Sequence, residues 1–546
     1  KTIMKKIIIN SLLLIGLFST ASCTKDYEDI NKNTYGVTDD ELAKSGIVGY
    51  GNSFLQMQQY VIPIGAPAKT TGPGNDLQVT DLISSGNYIG YFGNNNNWNF
   101  NIEATWNFND GRMSYAYECF YTKLFTEWNS IKKSIGNSQD VQQKRALALA
   151  NIIKITAWLR ATDVFGPIVY SNAGNGDIAP SLDKQEDVYK AMLQELDQCL
   201  AVLDNGTTVM ADYDLIYGGN IAKWKKFANS LMLRMAVRAH FKDAALANTY
   251  IAKALAGGVM TEAADEAKIG NSPKQPLKNS MIASIDYSET RMGLTIWSYL
   301  KGYEDPRIAV LFKKGTYRDV EDYYAVAPTA SLPKYEGIRN TAFYASIPNV
   351  DDNSPLSWMR TSEVLFLKAE AALYGLGGLS ASQAQGFYEE GVKMSFQEMG
   401  TTMPTNYLSS TNKPKELNSY WYASYTYDLV TNNISPKWDD VQTGKEEEQH
   451  LQKIITQKYL AMYPNAVEAW TEYRRTGYPL IMKYQDISAP SRIGCPTCFV
   501  PERFKYSAKD YLTNNKLQTE VPALLGGPDI GATRLWWVRP NRPQQN

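Results

Sequence analysis

A mainly α fold, built of packed helical hairpins that hold an irregular, loop-rich lobe, is what three observations in the sequence predict. Apolar residues recur at helical spacing in several long segments, glycines fall where those segments reverse, and long stretches without any period lie between them. The chain has 546 residues, 44% hydrophobic and 20% charged, which is enough for a large core and too well mixed for disorder.

In Val141 to Val164, the residues Leu149, Ile152, Ile153 and Leu159 fall near one stripe with Trp158 close by, and Phe165-Gly166-Pro167 stops the helix. The spacing predicts a second helix over Ser181 to Leu203. There Ser181 is a candidate N-cap, Glu186 and Asp187 suit the positive helix start, and Val188, Met192, Leu196 and Leu200 or Leu203 repeat. Lys223 to His240 stacks Trp224, Phe227, Leu231 and Met235, with Arg234 and Arg238 one turn apart. Glu363 to Tyr374 and Ser380 to Met399 read as a hairpin joined at Gly375, Gly377 and Gly378, where reversal needs residues tolerant of positive φ. Gln452 to Met462 and Ala466 to Arg475 make another, ended by Gly477 and Pro479. Gly46 to Asn109, Glu262 to Ser280, Asp319 to Ser357 and Met403 to Lys445 carry no period and read as the loop lobe. No repeat of about 34 residues is visible, so periodicity leaves the stacking of the hairpins open.

Lys+Arg 55 against Asp+Glu 56 gives a net charge of −1, so no global field draws in nucleic acid. The two histidines, His240 and His450, stand in no HxxH or HExxH setting, which removes the usual zinc-hydrolase and Ser-His-Asp chemistries. Cys495-Pro496-Thr497-Cys498 reads as a loop staple or a pair of idle thiols rather than a redox centre, and no further ligands with metal spacing sit beside it.

Met4 to Phe18 runs from two lysines into an apolar stretch, the pattern of a secretory signal, and falls short of the roughly 20 apolar residues that span a bilayer. Ser19-Thr20-Ala21-Ser22-Cys23 resembles a lipobox, which makes Cys23 the acylated first residue of the mature chain; the competing reading is an ordinary cleaved signal. Several acyl chains, each CH₂ contributing about 0.8 kcal/mol, give a lasting anchor. Thr24-Lys25-Asp26-Tyr27-Glu28-Asp29 resembles the surface-export signal of Bacteroidetes lipoproteins. The expected organisation is a signal peptide at 1–22, a lipid-anchored tether at 23–45 and one domain over 46–546.

Trp158 through Thr162-Asp163-Val164-Phe165-Gly166-Pro167-Ile168-Val169-Tyr170 resembles a helix end and turn of the SusD/RagB family. Pro180-Ser181-Leu182-Asp183, Lys223-Trp224-Lys225-Lys226-Phe227-Ala228-Asn229-Ser230-Leu231, Asp305-Pro306-Arg307 and Glu363-Val364 continue its blocks in order. So do Gln457-Lys458, Glu468-Ala469-Trp470, Arg474-Arg475-Thr476-Gly477-Tyr478-Pro479, Pro501-Glu502-Arg503-Phe504 and Leu535-Trp536-Trp537. The resemblance implies helix-turn-helix units similar to tetratricopeptide repeats, in an outer-membrane lipoprotein on the extracellular side. It also implies a SusC-like TonB-dependent transporter as partner, to which an oligosaccharide or oligopeptide is passed. Bound Ca²⁺ occurs in the family, yet no EF-hand-like loop is present, and neither metal nor other cofactor is expected.

Trp224, Arg234, Trp470 and Arg474 lie on amphipathic helices and read as core residues and buried Arg pairs. Ligand contacts belong on the loops. A sugar has an apolar face and a hydroxyl rim, so its site needs an aromatic platform beside amides or charged groups. The stretch Asn87 to Asn101 offers that mixture, with Trp98, Tyr91 and Tyr88 as platforms and Asn96 and Asn97 as amides; inward-turned aromatics in a polar surface loop are the alternative. Asn75 and Asp76 could supply hydroxyl contacts, but simple turn formation is the better-supported reading of them. Tyr420 to Tyr427 alternates aromatics and reads as a site or as lobe packing, with Tyr335 as a further candidate. A peptide ligand would draw instead on a carboxylate-binding arginine, Arg291 or Arg339. The leading expectation is a non-enzymatic binder of extracellular glycans, with a peptide binder as its nearest variant. A secreted helical glycoside hydrolase, working with two carboxylates, is the rival from another class.

Overall fold

The computed structural model describes residues 46–65, 74–93, 103–287, 289–317, 319–326, 345–416, 429, 433–483 and 489–545. The chain divides into a unit up to Tyr50 and a unit Gly51–Asn546, and it is the second that carries the folded body. Antiparallel helix pairs build it: Val141–Phe165 packs on Lys123–Ile135 and on Gln185–Val202, Ile221–Ala239 on Ala244–Gly257, and Thr361–Leu373 on Ala384–Glu398. Glu446–Met462 and Ala466–Thr476 close the series. Among the described residues strands are confined to two-stranded ladders, Phe92–Gly93 with Arg291–Met292, Ala267–Ile269 with Leu356–Met359, and Gly315–Tyr317 with Val320–Asp322. The mainly helical hairpin fold expected from periodicity is the fold observed. Among the described residues no helix is long and apolar enough to cross a membrane.

Two expectations are corrected. The second helix starts at Gln185 rather than Ser181, because Asp183 is already committed: its carboxylate accepts the backbone N–H groups of Tyr170 and Ser171, both at 2.8 Å, and its N–H bonds Ile168. The stretch 46–109 is not irregular throughout. It holds the helix Ile47–Gln58 and a helical run made of Gly74–Leu77, the π-helical Gln78–Ser85 and Gly86–Tyr88.

Five helices meet at a buried charge network. Arg238 pairs with Asp163 at 2.6 Å and with Glu468, Arg234 grips Glu363 through two bonds of 2.7 Å, and Arg475 joins Glu370 and Glu472. Lys458 lies 3.4 Å from Glu468. Arg474 lies flat on Trp470, 3.6 Å from the ring centre, and donates to the carbonyls of Asp163 and Glu502. Paired and hydrogen-bonded in this way, charges survive burial.

Burial alone would raise the Glu468 and Glu472 carboxyls, yet the surrounding Arg238, Arg234, Arg475 and Lys458 hold each down at about 2. His240 is held below its ordinary range, burial outweighing its contact with Glu370. In the unfolded chain glutamate titrates near ~4.3 and histidine near ~6.5, so the unfolded state takes up more protons below those values. Stability is thus expected to fall on acidification, first through His240 below about pH 6.5 and then steeply as the carboxyls protonate below about pH 4.3. Thermal melting followed by circular dichroism between neutral and acid pH checks this; a melting temperature that rises with acid contradicts it.

Candidate functional site

The short helix Leu294–Gly302 is mostly buried, and the described residues flanking the sequence-predicted binding segments are tied to it or to Gly293 before it. At its start Gly293 N–H donates to Tyr91 O at 2.9 Å, Leu294 N–H to Val326 O at 3.1 Å, and Ile296 N–H to Gly90 O at 3.2 Å. These bonds hold Gly93, which precedes 94–102, in register with Arg291 and against Val326, which precedes 327–344. Further along, Ser298 exchanges two 2.7 Å bonds with Lys415, just before 417–428. Tyr299 Oη donates to Leu480 O at 2.8 Å and accepts from Asn433 Nδ2 at 3.1 Å. Thr295 Oγ1 accepts Met482 N–H at 3.0 Å, shortly before 484–488. Described residues that flank segments far apart in sequence therefore meet at one helix.

Backbone crowding at this point explains the glycines. Gly90 has φ +70°, and a Cβ there would lie 2.3 Å from Thr295 Oγ1. Gly90→Ala combines a positive φ with a clash, and is expected to destabilise the protein by about 1–3 kcal/mol while weakening whatever the adjoining loops bind. Melting temperature and ligand titration of that variant are the check, and a variant with wild-type values for both contradicts it.

Of the sequence-predicted contacts, Trp98, Asn96, Asn97 and Arg339 lie outside the described residues, as do Tyr335, Tyr420 to Tyr427 and the lipidation candidate Cys23. Tyr88 and Tyr91 are described, and both are corrections, because their rings face inward. Tyr88 is 5% exposed, its hydroxyl donates to Glu103 O at 2.7 Å and its ring meets Trp470 edge-on. Tyr91 is fully buried, stacked on Tyr459 at 4.4 Å and bonded to its carbonyl. Neither offers a face to a ligand; they brace the base of the loop. Asp76 is likewise buried, accepting Tyr115 Oη–H at 2.5 Å and pairing with Lys123 at 2.7 Å, whereas Asn75 is exposed. Arg291 is buried, its Nη1 donating to the carbonyls of Ile285 and Thr290, and burial lowers its pKa. Cys495 and Cys498 are joined in a disulfide, the staple alternative of the two open in the sequence.

Sequence reasoning missed Trp297 and Tyr323. Both are partly exposed, and Trp297 Nε1 donates to Tyr323 O at 2.8 Å, which brings aromatic surface to the helix that carries the loops. Only the lone Trp within a short apolar run marked the first of them. On the opposite flank of 94–102, Glu103 is buried and clamped by Arg112 through bonds of 2.9 and 2.6 Å, and Arg492 donates to Thr105 O.

Three solved structures are similar to this chain over most of its length. BT1043 is 55% identical, with a TM-score of 0.88, covering 91% of this chain and 100% of its own. A SusD homologue from Bacteroides vulgatus is 28% identical with a TM-score of 0.81, covering 92% and 100%. A chitin-binding SusD homologue from Flavobacterium johnsoniae is 30% identical with a TM-score of 0.79, covering 91% and 100%. No curated protein matches the chain. The SusD-like family pattern, Susd and RagB outer membrane lipoprotein, matches residues 29–538. With a family pattern running through nearly all its length and a matching helical body, this chain belongs to the SusD-like family of outer membrane lipoproteins.

Proposed function

We propose that the protein is a non-enzymatic cell-surface lipoprotein that binds extracellular oligosaccharides and delivers them to a SusC-like TonB-dependent transporter. The observation that carries this reading is the convergence of loop bases on Leu294–Gly302. The described residues next to 94–102, 327–344 and 417–428, the segments that bear Trp98, Asn96, Asn97, Arg339 and Tyr420 to Tyr427, bond to that helix or to Gly293 before it, beside the partly exposed Trp297 and Tyr323. Aromatic faces among amides are the chemistry that sugar rings need. The 30% identical chitin-binding homologue supports a glycan as ligand. A peptide ligand is the weaker variant, since Arg291, the described candidate for binding a carboxylate, is buried and gives its Nη1 to backbone carbonyls. Titration calorimetry against neutral oligosaccharides, chitin fragments among them, and against a mixed oligopeptide pool is the test. Saturable heat with a glycan is expected; saturation by peptides alone, or turnover of the bound glycan, overturns the reading.

The proposed anchor is an acylated Cys23, after removal of 1–22, with 23–45 as a tether to the outer membrane and 46–546 as the binding domain. Cys23→Ser is expected to move the protein from the membrane fraction to the soluble fraction without changing its melting temperature. A Cys23→Ser protein that still pellets in high salt from cells lacking the transporter contradicts lipid anchoring.

A further inference from the structure

A groove of about 750 Å³ opens between the helices Lys123–Ile135, Val141–Phe165 and Gln185–Val202, away from the loop bases described above. That volume is ample for a disaccharide. Its floor is aromatic and charged. Trp128 donates its Nε1–H to Asn151 at 2.8 Å, and Lys154 Nζ stands 4.5 Å from the Trp128 ring centre and 4.8 Å from that of Tyr170. Lys154 is held there by both oxygens of Glu195, at 2.7 and 2.8 Å, and Glu195 also accepts the Tyr170 hydroxyl.

The charges do not balance. Among the described residues four ammonium groups, Lys132, Lys133, Lys144 and Lys154, line the groove against the single carboxylate Glu195, which Lys154 already occupies. Lys132 bonds neutral oxygens, Ala173 O and Asn175 Oδ1, both at 2.9 Å, and Lys144 bonds Gln139 Oε1 at 2.8 Å. Among the described residues none of Lys132, Lys133 and Lys144 has a carboxylate partner. Burial, helped by the nearby Lys154, lowers the Lys132 pKa against the opposing pull of Glu195.

Exposed amides complete the lining. Gln194 and Gln198, one turn apart, look into the groove from the face that also bears Glu195. Cys199 adds no reactivity, because burial pushes its thiol up to about 12. We infer that this groove is a second ligand site, and that it takes a saccharide bearing a carboxylate, its acid group on Lys132 and Lys133 and its hydroxyls on Gln194 and Gln198. A peptide fits the lining less well. Strand addition needs a free sheet edge and a docked helix needs apolar anchors, whereas these walls are helices and the turn 171–174, lined mostly by polar side chains.

The inference goes beyond the proposed glycan function, and its test is separate. Mature protein is titrated with a glucuronic-acid-terminated disaccharide, its neutral glucose-terminated counterpart and an acidic tetrapeptide. Binding of the acidic disaccharide alone is expected, weakened about tenfold or more in Lys132→Gln/Lys133→Gln. The same loss is expected in Lys133→Glu/Lys144→Glu, whose side chains are both exposed, with the melting temperature expected to stay at the wild-type value. Equal binding of the neutral sugar, preference for the peptide, absence of binding, or affinity unchanged in both variants would overturn it. Neutral glycan binding at the loops should persist in both variants, so loss of one site is read independently of the other.

Discussion

Arg238→Ala is expected to be among the most destabilising single substitutions in the chain, at about 3–5 kcal/mol. Arg238 is 1% exposed and is the hinge of the charge network, bonded to Asp163 and Glu468 and 3.6 Å from Glu472. Removing it leaves three buried carboxylates with less counter-charge, and their desolvation is then unopposed. The exposed pair Lys253 and Asp197 is the control: Lys253→Ala should change stability by no more than about 0.5 kcal/mol, because solvent screens that pair. Urea denaturation midpoints of the two variants make the comparison. Equal midpoints would mean that the network contributes no more than a surface ion pair.

Trp98→Ala is expected to cost the glycan affinity about thirtyfold, near 2 kcal/mol, while the melting temperature stays put. The reasoning is local. Stacking against a sugar face uses ring area that no other side chain type supplies, and the segment 94–102 is pinned at both flanks by contacts that do not involve Trp98: Gly93 against Arg291 and Val326, and Glu103 against Arg112 and Tyr88. Tyr88→Phe is the counterpart. It removes the hydroxyl that bonds Glu103 O, so it should lower stability by about 1 kcal/mol and leave the affinity close to wild type. Calorimetric titration and melting of both variants separate the two roles. If Tyr88→Phe lost more affinity than Trp98→Ala, stacking by Trp98 would be the wrong account.

Much of the scaffold was legible because its helices bury one face. Val188, Met192 and Leu196 are fully buried, as their spacing required, and so are Trp224, Phe227 and Leu231. The helical run around Gln78–Ser85 was illegible for the opposite reason. All eight of its residues are buried, polar ones included, so no amphipathic stripe exists to be seen. Those polar groups are paired in ways that only the fold reveals: Asp81 with Arg160 at 2.7 Å, and Ser84 Oγ with Thr80 O at 3.0 Å. Leu294–Gly302 is short, with Thr295 and Ser298 set among Leu, Ile, Trp and Tyr, so it gave no period either. Tyr88 and Tyr91 looked like ligand platforms because their neighbours are Asn and Gly, yet Trp470 and Tyr459, hundreds of residues away, decide where their rings go. Residue type alone did not show which way these rings turn; long-range packing decides that.

The most direct test of the central reading is a crystal structure of the protein with the neutral oligosaccharide that it binds most tightly. The account predicts the sugar among the loops that rise from Leu294–Gly302, with an aromatic face against one of its rings. A sugar bound elsewhere on the body, with these loops empty, would contradict it.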